Sequence, residues 1–172
     1  MRIIGIDPGL ATIGIGLIEA ESIHQIICIE WLTIVTQAGT PTPQRLMELR
    51  RDLSEFLAEA KPALAVVERL FFETNVRTAM DVAQARGVIL LTLGEQGIPI
   101  LEPTPLQLKS AITGDGRADK RQVQEMLLRM LHLKEIPKPD DAADALALAV
   151  YGALAHTTTK QQTSPSPRRE RG

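Results

Sequence analysis

Cysteine is almost missing from this sequence, with Cys28 the only one in 172 residues. One thiol closes no intrachain disulfide and builds no cysteine cage for a metal, and it suits a reducing, cytoplasmic setting. Long apolar runs are missing too: no stretch approaches the roughly 18 residues of a membrane span. The apolar start is broken by Asp7 and Pro8 before a secretion signal could form. Aromatics are scarce, at one Trp, one Tyr and three Phe. A basic excess is also lacking, since 19 Lys+Arg face 21 Asp+Glu for a net charge of −2. By that balance the chain does not look like a nucleic-acid binder. The balance is uneven, however: residues 157–172 carry four basic groups and one acid, leaving residues 1–156 at 15 basic against 20 acidic. An acidic body of that kind needs a reason.

What is present is enough for one domain with a full core, at 172 residues and 44% apolar composition. Met1 to Ile6 is a β-branched run ending in the turn signal Asp7-Pro8-Gly9, and Ile13 to Ile18 is a second run of the same kind. A third strand is expected between Ile23 and Val35, completing an antiparallel meander. Thr42-Pro43 reads as an N-cap with proline at the first helical position, and Leu46, Leu49, Leu53, Phe56 and Leu57 recur at helical spacing. Ala63 to Val67 is too short for a helix and uniformly apolar, as in a parallel strand buried on both faces. A long helix from about Thr74 to Gln96, a strand at Ile98 to Leu101, helices near Pro105 to Ile112 and Lys120 to Leu131, and a last helix from Asp140 to Ala155 complete the α/β pattern. Residues 1–156 then form the domain, and the Thr/Ser/Gln/Pro-rich residues 157–172 read as a disordered basic tail.

Two of these apolar strands end in a carboxylate, Asp7 and Glu68, and ligand sites of open α/β sheets collect at such strand ends. Turn formation is the alternative reading of Asp7. Asp141 and Asp144 lie three residues apart on one helical face. Acids also favour the positive end of a helix, which is the plainer explanation for them. Asp140 already supplies a cap, though, and Asp144 precedes the buriable run Ala145 to Ala149, where an unpaired carboxylate would be costly. Four carboxylates able to meet at one point would repel one another without a cation. All-oxygen ligation suits Mg²⁺ or Mn²⁺, and the chemistry of paired ions held by acids is phosphoryl transfer.

Gly5-Ile6-Asp7-Pro8-Gly9, Val67-Glu68-Arg69-Leu70-Phe71, Gln84-Ala85-Arg86-Gly87-Val88 and Asp141-Ala142-Ala143-Asp144-Ala145-Leu146-Ala147, taken in order, resemble the RuvC family of Holliday junction resolvases over roughly residues 1 to 155. The resemblance implies an α/β, RNase H-like fold with a mixed five-stranded sheet flanked by helices. It implies a homodimeric endodeoxyribonuclease that makes paired symmetric nicks in four-way DNA junctions, in recombination and repair. It also implies that Asp7, Glu68, Asp141 and Asp144 are catalytic carboxylates holding two Mg²⁺ ions per subunit, with Mn²⁺ a plausible substitute. Asp7 is assigned to the bridge between the ions. The family further suggests Lys109 and Lys120 as phosphate contacts, Phe71 as the aromatic that meets junction bases, and the RuvA–RuvB branch-migration complex as a partner. Without it, either lysine would be read as a solvated helix residue.

Between Arg69 and Lys138 ten basic residues face eight acids, so the DNA face is expected in this central segment. Met80, Ala83, Gln84, Gly87 and Leu91 recur at helical spacing, as a stripe packed on the sheet by default or as one face of a two-fold dimer. Other readings are an RNase H-like nuclease acting on structured RNA, a sugar-kinase or actin-like ATPase, and a non-catalytic junction scaffold. The Glu68 and Arg86 segments disfavour the first, chain length disfavours the second, and the presence of all four acids disfavours the third. His24, His132 and His156 fall near no carboxylate motif and receive no role.

Overall fold

The structure is a computed structural model that describes residues 1–69 and 76–162, the side chains of residues 76–78 and 157–162 excepted. Strands β1 (Arg2–Asp7), β2 (Thr12–Ser22) and β3 (Gln25–Val35) form the expected antiparallel meander. Helix α1 (Thr42–Ala60) carries the chain back so that β4 (Leu64–Val67) pairs parallel to β1, and α2 (Val76–Glu95) does the same for β5 (Ile100–Leu101). Helices α3 (Pro105–Thr113), α4 (Lys120–Met130) and α5 (Asp140–Gln162) follow. The sheet order is β3-β2-β1-β4-β5, which puts the two strands that lead into Asp7 and Glu68 side by side at the centre.

Side chains alternate across a strand, so each central strand feeds two cores. Ile4, Ile6, Ala65 and Val67 pack on one face against Leu49, Leu53 and Leu57 of α1 and Ala85, Ile89 and Leu93 of α2. Ile3, Leu64 and Val66 pack on the other against Leu146, Ala149 and Val150 of α5, with Val123 and Leu127 of α4. The same alternation carries Asp7, two residues beyond Gly5, and Glu68, two residues beyond Val66, to the α5 face. Burial on both faces explains why β4 reads as an unbroken apolar run.

Helix α5 lies directly on the sheet because three strand positions, Gly5, Gly14 and Gly16, have no side chain. A Cβ on Gly5 would stand 1.9 Å from the Ala145 carbonyl oxygen, and one on Gly14 would stand 2.0 Å from that of Asp141. This contact of backbone with backbone brings the first turn of α5 down beside the end of β1.

Several sequence expectations need correction. The α1 cap is Pro41, with Thr42 already helical and no side chain capping the helix. β5 is two residues long, because only Ile100 and Leu101 find partners on β4. Helix α5 continues to Gln162, seven residues past Ala155, so the boundary drawn at 156/157 falls inside it. Composition misled here: no proline or glycine intervenes before Pro165 to stop a helix whose earlier turns are anchored on the sheet. The proposed packing stripe of α2 is also out of phase. Met80 and Leu91 are 58% and 55% exposed and Gln84 and Gly87 are exposed, while Ala85, Ile89, Thr92 and Leu93 face inward.

Candidate active site

Asp7, Glu68 and Asp144 line one pocket of about 200 Å³ together with Lys109 of α3 and Lys120 of α4, over apolar walls that include Leu108, Val123 and Leu148. Three separate pieces of chain thus supply the acids: the end of β1, the residue after β4, and the second turn of α5. Asp141, one turn earlier on α5, does not line the pocket, but its charge acts on Asp7. Lys120 Nζ lies 3.0 Å from Asp144 Oδ2 and 3.2 Å from Asp140 Oδ2. That ammonium is the positive partner that the apolar run after Asp144 called for, and Asp140 serves as its second acceptor.

The local electrostatics are those of a crowded anion site. Burial and the negative charges of Asp144, Glu68 and Asp141 push the Asp7 carboxyl up to about 7, against a smaller opposing effect of Lys120. Burial and Asp144 likewise raise Glu68, while Lys109 pulls it down. Burial alone would lower the pKa of Lys120, yet its bonds to Asp144 and Asp140 raise it overall. Among the described residues, no three His, Cys, Asp or Glu side chains already stand close enough to grip one ion. Asp144 is held by Lys120 instead. The donor set nevertheless fits a hard divalent cation: it is all carboxylate oxygen, and it carries more negative charge than two lysines neutralise.

Phe71, expected to meet DNA bases, lies outside the described residues, as does Phe72. His24 and His132 are exposed, and His156 lines a different pocket with Met1, Glu21 and Ser22. Two kinds of residue in this site escaped sequence reasoning. Gly5, Gly14 and Gly16 seat α5, and apart from the place of Gly5 in a motif their signal was glycine inside otherwise β-branched strands. Arg86 was visible only as part of a motif, whereas its Nε donates to the backbone carbonyl of Glu68 at 3.0 Å and its guanidinium also pairs with Glu102.

A mixed five-stranded sheet whose two central strands deliver carboxylates to the foot of a C-terminal helix defines an RNase H-like nuclease. The sequence model of the RuvC family, crossover junction endodeoxyribonuclease, matches residues 3–152. The protein of that name from Desulfitobacterium hafniense is 48% identical over 153 residues, spanning 89% of this chain and 92% of its own. Its counterpart from Chloroflexus aurantiacus is 48% identical over 161 residues, spanning 94% and 98%. Among solved structures, Thermus thermophilus RuvC in complex with a Holliday junction substrate superposes with a TM-score of 0.87 at 31% identity, covering 92% of this chain and 96% of that one. The chain belongs to the RuvC family, the metal-dependent crossover junction endodeoxyribonucleases that resolve Holliday junctions. Among the described residues no helix is long and apolar enough to cross a membrane.

Proposed function

We propose that the pocket between β1, β4 and α5 is where this resolvase cuts its junction, with Asp7, Glu68, Asp141 and Asp144 as the carboxylates that hold two Mg²⁺ ions, Mn²⁺ being the substitute. The observation that carries this reading is the convergence of Asp7, Glu68 and Asp144 on one pocket in which burial, and after it the repulsion of the neighbouring acids, raises Asp7 to about 7. When bound, divalent ions supply an activated water and offset charge on the scissile phosphodiester. The chain's own residues do the rest. Asp7, fixed at the end of a strand buried on both faces, anchors the site from the sheet. Asp141 and Asp144 approach it from α5, and Glu68 from the neighbouring strand. Lys109 and Lys120, which line the same pocket from α3 and α4, are placed to receive phosphate oxygens, and Lys120 is free to do so once cations relieve it of Asp140 and Asp144.

A two-fold junction calls for two such pockets, and the exposed face of α2, with Met80, Gln84, Gly87 and Leu91, is the surface we assign to a homodimer. Residues 1–156 hold the sheet and the pocket and constitute the nuclease domain on this reading, with α5 running on past them to Gln162; Phe71 contacts junction bases, and the basic C-terminal residues add to DNA binding. We place the reaction in the cytoplasm, on junctions moved by RuvA–RuvB. The decisive assay compares a synthetic four-way junction with linear duplex and an RNA–DNA hybrid, each with Mg²⁺. Symmetric paired nicks confined to the junction are expected; preferential cutting of the hybrid would overturn the assignment.

A further inference from the structure

We propose that Arg86 is a positioning residue for Glu68, holding the carboxylate's backbone in place from the side opposite the pocket. The need for such a brace follows from the sheet. The ladder between β1 and β4 ends at the Ile6–Val67 pair, so Glu68 lies one residue beyond the last strand pairing. Its carbonyl is bonded instead by Arg86 Nε at 3.0 Å. The next amide, that of Arg69, donates to the Pro103 carbonyl at 2.9 Å, so the segment is held against the stretch after β5. Glu102, in that same stretch, pairs with the Arg86 guanidinium.

The arginine is thus locked at both ends. It rises from α2 next to fully buried Ala85, its side chain is 17% exposed, and its two contacts use Nε and one terminal nitrogen of a planar fork. A carboxylate serving cleavage must be presented in a narrow range of positions, and groups one step behind it set that range. A lysine offers a point charge on a flexible stem, which satisfies either the carbonyl or Glu102 but does not reproduce the fork.

This inference rests on Glu68 serving cleavage, so Glu68→Gln is the control: if that variant still cuts the junction at the parent rate, the active-site reading fails rather than the brace. The test measures kcat, KM, junction affinity, half-saturating Mg²⁺ concentration and thermal stability for Arg86→Lys, Arg86→Glu and the charge-swapped pair Arg86→Glu with Glu102→Arg. The swap restores an ion pair but leaves nothing at position 86 that donates to the Glu68 carbonyl. With the brace, Arg86→Lys lowers kcat by roughly 10- to 100-fold and raises the Mg²⁺ requirement, while junction affinity holds. The swap then regains stability relative to Arg86→Glu without regaining cleavage. Cleavage that returns with stability in the swap would overturn the proposal, as would a loss that lies wholly in junction affinity. Should the swapped protein fail to fold, the Mg²⁺ dependence of Arg86→Lys decides, and an unchanged one counts against the brace.

Discussion

Asp7 is the residue on which burial and repulsion press hardest, and its behaviour with pH follows from that. In the metal-free folded chain it titrates near 7, against an ordinary value of 3.8. Between those values the folded state keeps a proton that the unfolded chain has released, so stability falls as pH rises through the window and the penalty is complete above pH 7. At 1.36 kcal/mol per pKa unit the penalty is at most about 4 kcal/mol. Asp7→Asn removes the ionisable group. The variant is therefore expected to melt higher than the parent at pH 8 in the presence of chelator, with the gap shrinking as pH falls toward 4. It should also lose cleavage while keeping junction affinity. Mg²⁺ should stabilise the parent more than the variant, since the parent has more repulsion to relieve. A variant that melts lower than the parent at pH 8 would mean that Asp7 is not repelled in the folded chain.

At the scale of the element, α5 sets the site because it can lie against bare backbone. A methyl group at Gly14 would stand 2.0 Å from the Asp141 carbonyl oxygen and 2.5 Å from its carbonyl carbon, both main-chain atoms that no side-chain rotation relieves. Gly14→Ala must lift the first turn of α5, and overpacking of this kind costs roughly 1–3 kcal/mol or more. Urea denaturation should show that loss, and cleavage should fall further than stability alone accounts for, because the turn that rises carries Asp141 and leads directly into Asp144. Unchanged stability would mean that the helix has room to spare. This contact also marks the limit of what could be read from residue types. Strand runs, helix spacing and the carboxylates at strand ends are local patterns, and Asp7, Glu68 and Asp144 do meet in one pocket. The phase of α2, the closeness of α5 to Gly5 and Gly14, and the bond from Arg86 to the Glu68 carbonyl depend on partners distant in sequence, and no local pattern specifies them. Composition erred at residues 157–162 for a related reason: a poor helix former is carried along by an anchored helix that meets no breaker.

For the whole molecule the question is how a chain of net charge −2 holds a polyanion. Part of the acidity is the site itself: two divalent ions would offset most of the excess of 20 acids over 15 bases in residues 1–156. Lys109 and Lys120 border the pocket, and the exposed Arg117 and Arg121 lie on the same α3–α4 stretch, so positive charge gathers where phosphates would lie. A further basic excess lies in residues 163–172, where Arg168, Arg169 and Arg171 face only Glu170. Because α5 runs to Gln162, the informative truncation removes residues 163–172 and leaves the helix whole. Removing the charge that neutralises one phosphate lowers the slope of log affinity against log salt by about 0.9. Deleting three arginines should therefore weaken junction binding at moderate salt and flatten that slope by up to about 2 to 3, judged by a titration of labelled junction at several salt concentrations. Cleavage at saturating junction should be unchanged, since every pocket residue remains. Equal affinity and equal slope in the truncated chain would confine DNA binding to the α3–α4 surface and the surroundings of the pocket.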